Sequence, residues 1–362
     1  MNPSNTDGGI AAVIARALDA AGLHRTSEGS AHGVRSTIDR ALAAAGLTTP
    51  RDTTRFVPPA QADAADRPAT RERHAEAPAP GRFVAMTHSG AHGPRDFHLY
   101  LPANHDGAAP MPLLVMLHGC KQNPRDFALG TRMNAVAEAR GFAVAYPAQS
   151  QRANGGCCWN WFDSAQQQRG ASEPGSIVAM IEQLVAEQAI DRSRVYVAGL
   201  SAGAAMALLL GRHYPEVFAG VAAHSGLPPG AARDMPSAFA AMSGRHAAVV
   251  PATLPALPTI VFHGDADATV VPRNGDAIVE AALAAHRSAG IVLQESVRLE
   301  PTAGARRCTV SEYRDPEGRA RVEAWTVHGA AHAWSGGSSA GSYTDASGPD
   351  ASGQIARFFL DR

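Results

Sequence analysis

Three residues spaced along this chain have the types needed to attack an ester carbonyl: Ser201, then Asp267, then His332. A serine hydroxyl is a poor nucleophile until a base takes its proton. Histidine suits that task because its unperturbed pKa lies near working pH. A buried carboxylate completes the set by fixing the imidazole tautomer and stabilising the imidazolium. The chemistry implied is acyl transfer through a covalent intermediate on serine.

Ser201 stands in Gly199-Leu200-Ser201-Ala202-Gly203, a G-x-S-x-G match. The pentapeptide alone is a weak signal, and its context carries more. Residues 195–197 are β-branched and aromatic, and residues 202–211 are rich in Ala and Leu without proline. The motif therefore falls where a strand turns into a helix, and a sharp turn there lifts the serine hydroxyl above a sheet. Glycines at 199 and 203 let neighbouring backbone come close. The start of the following helix favours a negative oxygen. A second match, Gly337-Ser338-Ser339-Ala340-Gly341, has no strand run directly before it and leads into residues with loop character. It is expected to be surface loop.

The acid and base each have a rival nearby. Asp265 precedes Asp267 by two residues, and His328 precedes His332 by four. The spacing His263-Gly-x-x-Asp267-x-x-Val270 favours Asp267, which falls within a loop rather than at a strand tip. His328 abuts a strand end, whereas the glycine and alanines after it suit a loop carrying His332 inward. Acyl transfer also needs two preorganised N–H donors for the oxyanion. Ala202 supplies one. The other is assigned to Cys120, in the loop His118-Gly119-Cys120 that follows an apolar run over residues 112–117. His118 itself is expected to be structural.

These residues need a scaffold, and the chain reads as one. Residues 83–87 and 97–101 form a strand pair. Buried strands are expected at 112–117, 142–146, 195–197, 219–223 and 259–262, with two more near 308–313 and 321–327. Helices fall between them at about 131–140, from Pro174, after Ser201, at about 276–288 and at 350–360. In the second, Ile177, Met180, Ile181, Leu184 and Val185 form one apolar stripe. Such alternation means α/β architecture: a mostly parallel central sheet with helices on both faces. Sites in such sheets lie at the carboxyl ends of the strands, where His118, Ser201, Asp267 and His332 all fall. Residues 227–257, rich in Pro, Ala and Met, are a candidate cap.

The first part of the chain differs. Ile14-Ala-Arg-Ala-Leu-Asp-Ala-Ala-Gly-Leu23 recurs as Ile38-Asp-Arg-Ala-Leu-Ala-Ala-Ala-Gly-Leu47. Each copy reads as a short amphipathic helix stopped by glycine. Residues 1–48 thus form a helical N-terminal extension, residues 49–81 a disordered linker, and residues 82–362 the catalytic domain.

Bulk properties exclude several classes. The net charge of −1 gives no electrostatic case for nucleic acid or an anionic membrane. No apolar run approaches the roughly 20 residues that span a bilayer. The segment over residues 10–23 is interrupted by Arg16 and Asp19 and lacks a basic leader, unlike a secretory signal. The four cysteines show no metal-ligand spacing, and no H-x-x-x-H pair falls on an expected helix, so neither a metal nor another cofactor is expected.

Four segments together are more specific than any one motif: His118-Gly-Cys-Lys-Gln122, Cys158-Trp-Asn-Trp-Phe162, the Ser201 pentapeptide, and His332-Ala-Trp-Ser-Gly-Gly337. In combination, over about residues 82–362, the chain resembles the poly(3-hydroxybutyrate) depolymerase family of esterases, which is itself similar to acetylxylan and feruloyl esterases. The resemblance implies an α/β-hydrolase fold and serine carboxylesterase activity on short-chain hydroxyalkanoate polyester or oligomer. It also implies a disulfide steadying the oxyanion loop, for which Cys120 and Cys158 are the candidates, leaving Cys157 and Cys308. By the same resemblance Trp159 and Trp161 line the substrate cleft, against ordinary core packing as the alternative. Family members are typically secreted, while the N-terminus here suggests a cytoplasmic alternative. No separate polymer-binding domain is expected after the last helix, so soluble oligomers, an amorphous granule or small esters fit better than crystalline polymer. Residues 1–48 are the one extra element for docking to a granule or partner. Two competing readings are a carbohydrate esterase of the acetylxylan or feruloyl type, and an inactive hydrolase scaffold that only binds.

Overall fold

The computed structural model describes residues 79–245, 255–300 and 306–361. The repeated helices and the linker expected over 49–81, apart from its last three residues, lie outside them, as does part of the candidate cap.

The sheet opens with a hairpin, β1 (Arg82–His88) and β2 (Arg95–Leu101), paired antiparallel. Next come β3 (Met111–Leu117), β4 (Ala143–Pro147), β5 (Ile190–Leu200), β6 (Gly220–His224) and β7 (Thr259–Gly264). Then follow β8 (Gln294–Glu300), β9 (Cys308–Arg314) and β10 (Ala320–Val327). All ten join one sheet in the order β1-β2-β4-β3-β5-β6-β7-β10-β9-β8. The centre, from β4 across to β10, is parallel, and both margins are antiparallel.

Every residue of β3 is buried, so its side chains feed two cores. Leu113, Val115 and Leu117 join one cluster, while Leu114 and Met116 join the other. Helices α3 (Ser172–Glu187) and α4 (Ala202–His213) cover the first face through Ile177, Met180, Ile181, Leu184 and the Leu208–Leu210 run. Helices α1 (Pro124–Thr131), α2 (Met133–Arg140) and α7 (Ala351–Leu360) cover the second through Phe127, Met133, Ile355, Phe358 and Phe359. This is the α/β-hydrolase arrangement. Two further helices are α5 (Met235–Met242), inside the candidate cap, and α6 (Arg273–Ser288). Among the described residues no helix is long and apolar enough to cross a membrane.

Three local features depart from the sequence reading. The helix expected at about 131–140 is present as α2, but an unexpected helix, α1, precedes it, the two separated at Arg132 with φ 57°. Helix α1 starts cleanly: the Asn123 side chain accepts the amides of Arg125 and Asp126, with Pro124 in the first turn. Strand β8 was not expected because QESVRLE is mostly polar and exposed. Its antiparallel pairing with β9, from Gln294↔Arg314 to Glu300↔Cys308, decides its conformation. Last, β11 (Trp334–Ser335) and β12 (Thr344–Asp345) pair as a two-residue ladder that closes the loop after His332.

Candidate active site

Strands β5, β6, β7 and β10 are consecutive neighbours in the sheet. Ser201 follows the first, Asp267 lies beyond the third and His332 beyond the fourth, so all three come from carboxyl ends of adjacent parallel strands.

Ser201 has φ 57° and ψ −120°, outside the region that side-chain-bearing residues prefer. Strain of this kind costs of order 1–3 kcal/mol and persists only where the surroundings enforce it. Here they do. The Ser201 amide donates to the His224 carbonyl at 2.9 Å, and its own carbonyl accepts the Ala205 amide at 3.0 Å. A Cβ on Gly199 would lie 2.4 Å from the Gly203 carbonyl, and one on Gly203 would lie 2.1 Å from the Leu117 carbonyl oxygen. Both glycines are therefore required by close backbone approach, which brings the start of α4 against the loop leaving β3.

That loop is held by several contacts. The Gly119 amide donates to Gln122 Oε1 at 2.9 Å. Gln122 Nε2 in turn donates to Asp126 Oδ2 at 3.1 Å and to the Ser342 carbonyl at 3.0 Å. Cys120 and Cys158 form a disulfide with a Cα separation of 4.2 Å, while Cys157 and Cys308 are free thiols. Among the described residues neither the Cys120 amide nor the Ala202 amide is matched with a protein acceptor. His118 is buried, with Nδ1 2.8 Å from the Gly119 carbonyl and Nε2 accepting the Gln149 amide at 3.1 Å. Burial pushes its pKa down to about 4. The ring is therefore neutral and braces the turn.

Trp159 is fully buried and donates from Nε1 to the His118 carbonyl at 3.0 Å. The Arg95 guanidinium stands 5.3 Å over its ring. Trp161 is nearly as buried, edge-on to Phe162. Both tryptophans belong to the core beneath the loop. Of the two roles open to them, packing is the one their surroundings describe. Under them Glu173 accepts from Gln149 Nε2, the Asn160 amide and Asn160 Nδ2. Neither Gln149, Glu173 nor Asn160 was singled out from sequence, since polar residues in loops or a helix's first turn give no periodic signal.

Asp267 is buried, and its Oδ2 lies 2.7 Å from His332 Nδ1. Its Oδ1 accepts the amides of Thr269 and Val270, both at 2.9 Å. Burial alone would raise this carboxyl's pKa. The His332 hydrogen bond and charge, the Val270 amide and His263 outweigh it, and the group sits below the ordinary carboxylate range. An ionised Asp267 only accepts, so His332 Nδ1 carries the proton and Nε2 is left as a base. His263 gives its Nε2 to the Val270 carbonyl at 2.8 Å and stands 3.6 Å from Asp267 Oδ2.

The rivals form a pair of their own. His328 Nδ1 is 2.8 Å from Asp265 Oδ2, and the Gly329 amide donates to Asp265 Oδ1 at 2.6 Å. Those side chains are 39% and 42% exposed, against 10% for His332 and 0% for Asp267.

The second G-x-S-x-G is a loop with a packing task. A Cβ on Gly341 would lie 2.4 Å from Gly130 Cα, and one on Gly337 would lie 2.5 Å from the Gly130 carbonyl oxygen. The Ser338 amide donates to that same carbonyl. Ser342 then donates through its amide and hydroxyl to Asp126.

Known proteins similar to this chain are esterases and depolymerases. Poly(3-hydroxyalkanoate) depolymerase C of Paucimonas lemoignei is 34% identical over 245 residues, covering 64% of this chain and 56% of that protein. Feruloyl esterase B of Neurospora crassa is 37% identical over 132 residues, covering 36% of this chain and 43% of its own. The chain thus spans about half the length of these relatives. An acetyl xylan esterase structure from Aspergillus awamori superposes with a TM-score of 0.57 at 19% identity, covering 70% of this chain and 94% of that one. The fold is shared with that enzyme. The model of the esterase PHB depolymerase family matches residues 95–298, and the chain belongs to that family.

Proposed function

We propose that this protein is a serine carboxylesterase that cleaves short-chain hydroxyalkanoate polyester or oligomer bonds through an acyl-enzyme. The observation that carries the reading is the buried Asp267–His332 pair, from two and three strands beyond a strained Ser201. Ser201 Oγ attacks the ester carbonyl while His332 Nε2 takes its proton. Asp267 keeps the imidazole in the required tautomer and stabilises its positive form. The amides of Ala202 and Cys120 donate to the oxyanion as it forms. His332 then gives its proton to the departing alcohol. Water, deprotonated by the same imidazole, releases the acid and restores the serine.

The depolymerase relative and the family match support the hydroxyalkanoate class. A carbohydrate esterase is the second reading, favoured by the feruloyl relative and the acetyl xylan esterase fold. A side-by-side assay on 3-hydroxybutyrate oligomers, acetylated xylan and methyl ferulate, with product analysis, separates them. Release of hydroxybutyrate units at the highest kcat/KM is expected. Preferential release of acetate or ferulate contradicts the polyester assignment and leaves the serine mechanism standing. Ser201→Ala in the same panel tests the mechanism itself.

A further inference from the structure

None of those steps uses His224, yet it touches both halves of the site. It ends β6, directly beside β5 and β7. Its carbonyl accepts the Ser201 amide at 2.9 Å. Its ring is 1% exposed and lies against Phe262 and Trp334, with centroids at 5.7 and 5.2 Å. Nε2 accepts the Ser335 amide at 3.0 Å, with the Ser335 hydroxyl at 3.2 Å. Nδ1 is 3.2 Å from the Ser225 hydroxyl.

A backbone N–H can only donate, so the Nε2 that receives Ser335 bears no proton. Nδ1 therefore carries the ring proton and donates to Ser225. Burial holds the ring neutral, with the charges of His263 and His332 adding to the effect, and its pKa falls to about 3.

The loop carrying His332 has two anchors. Upstream, the Ala330 carbonyl accepts the Ala266 amide at 3.1 Å, which ties the loop to the Asp267 turn. Downstream, Ser335 is held by the His224 ring, three residues beyond His332. One imidazole thus connects the backbone beneath the nucleophile to the loop of the base.

We propose that His224 is a positioning residue, whose carbonyl and ring hold Ser201 and the His332 loop in fixed register. The proposal rests on the serine-esterase reading above. His224→Phe keeps an aromatic ring between Phe262 and Trp334 but removes both nitrogens. His224→Gln loses the stack but offers an amide oxygen to the Ser335 N–H. On p-nitrophenyl butyrate, H224F is expected to lower kcat about 10- to 100-fold with KM within about twofold, the cost of a small misplacement. H224Q is expected to regain most of that kcat. A purely structural role gives the opposite order, with phenylalanine the better substitute and activity tracking Tm. That result, or wild-type kcat in H224F, overturns the proposal.

A second measurement needs no variant to fold. Nitrogen-15 NMR of the wild-type histidines is expected to show His224 as a neutral Nδ1–H tautomer that does not titrate between about pH 5 and 8. An Nε2–H tautomer overturns the proposal. Ser201→Ala in the same assay separates the two levels. Full activity there removes the esterase reading, whereas inactivity beside an unimpaired H224F removes only the role of His224.

Discussion

His332 Nδ1 lies 2.7 Å from Asp267 Oδ2, and a second imidazole–carboxylate pair, His328 with Asp265, joins the same two loops at 2.8 Å. The pairs differ in their surroundings. Asp267 has no exposed side-chain surface and two backbone amides on its other oxygen, whereas Asp265 is 42% exposed. A hydrogen bond to an imidazole is worth more where water cannot compete, so only the buried pair is suited to orient a base.

Exchange of the two acids tests this directly. Asp267→Asn is expected to lower kcat on p-nitrophenyl butyrate by on the order of 10³- to 10⁴-fold, because the amide favours the wrong imidazole tautomer. Asp265→Asn is expected to stay within about twofold, as for an exposed pair. Steady-state kinetics on both variants decide it. Equal losses contradict the assignment.

Much of this was legible beforehand, and the reasons are physical. Buried parallel strands such as β3 read as continuous apolar runs, and α3 shows its stripe from Ile177 to Leu184. The elbow was readable in part because Gly199 is forced by a contact with Gly203, one turn on in the same pentapeptide. What stayed hidden depends on partners distant in sequence. Strand β8 exists because of β9. Gln122 acts through Ser342, 220 residues later. Buried Trp159 supports the loop after β3 through the His118 carbonyl, a contact that no local pattern announces.

The second G-x-S-x-G gives a contrast between packing and chemistry. Gly341→Ala forces a Cβ to within 2.4 Å of the Gly130 backbone. Overpacking of this kind typically costs about 1–3 kcal/mol, so a lower urea midpoint is expected. Ser339→Ala is exposed and should change neither stability nor turnover. Loss of activity in Ser339→Ala contradicts the choice of Ser201.

Gln122→Ala frees the Gly119 amide and cuts the tie to Ser342. The Cys120 donor is then displaced rather than removed. A fall in kcat of roughly tenfold with KM little changed is expected, less than the loss of an oxyanion donor outright. A change confined to KM contradicts the placement of Cys120.

Acid stability follows from the buried imidazoles. Burial lowers the pKa of His118 to about 4 and that of His224 to about 3, whereas both are near 6.5 in the unfolded chain. Between those values the unfolded chain binds more protons, so stability rises with pH. The contribution is complete above about pH 6.5 and is lost as pH falls through the folded-state values. Calorimetry near pH 5 should show unfolding with uptake of about two protons by these rings. A Tm that stays flat from about pH 7 to 4.5 contradicts this.

The central claim is that Ser201 is the nucleophile, and covalent trapping tests it most directly. Wild-type protein treated with a fluorophosphonate probe should carry one label, located by peptide mass spectrometry on Ser201. Labelling and ester turnover should both vanish in Ser201→Ala, with kcat lower by roughly 10³-fold or more. A label on another residue, or undiminished turnover in the variant, contradicts the account.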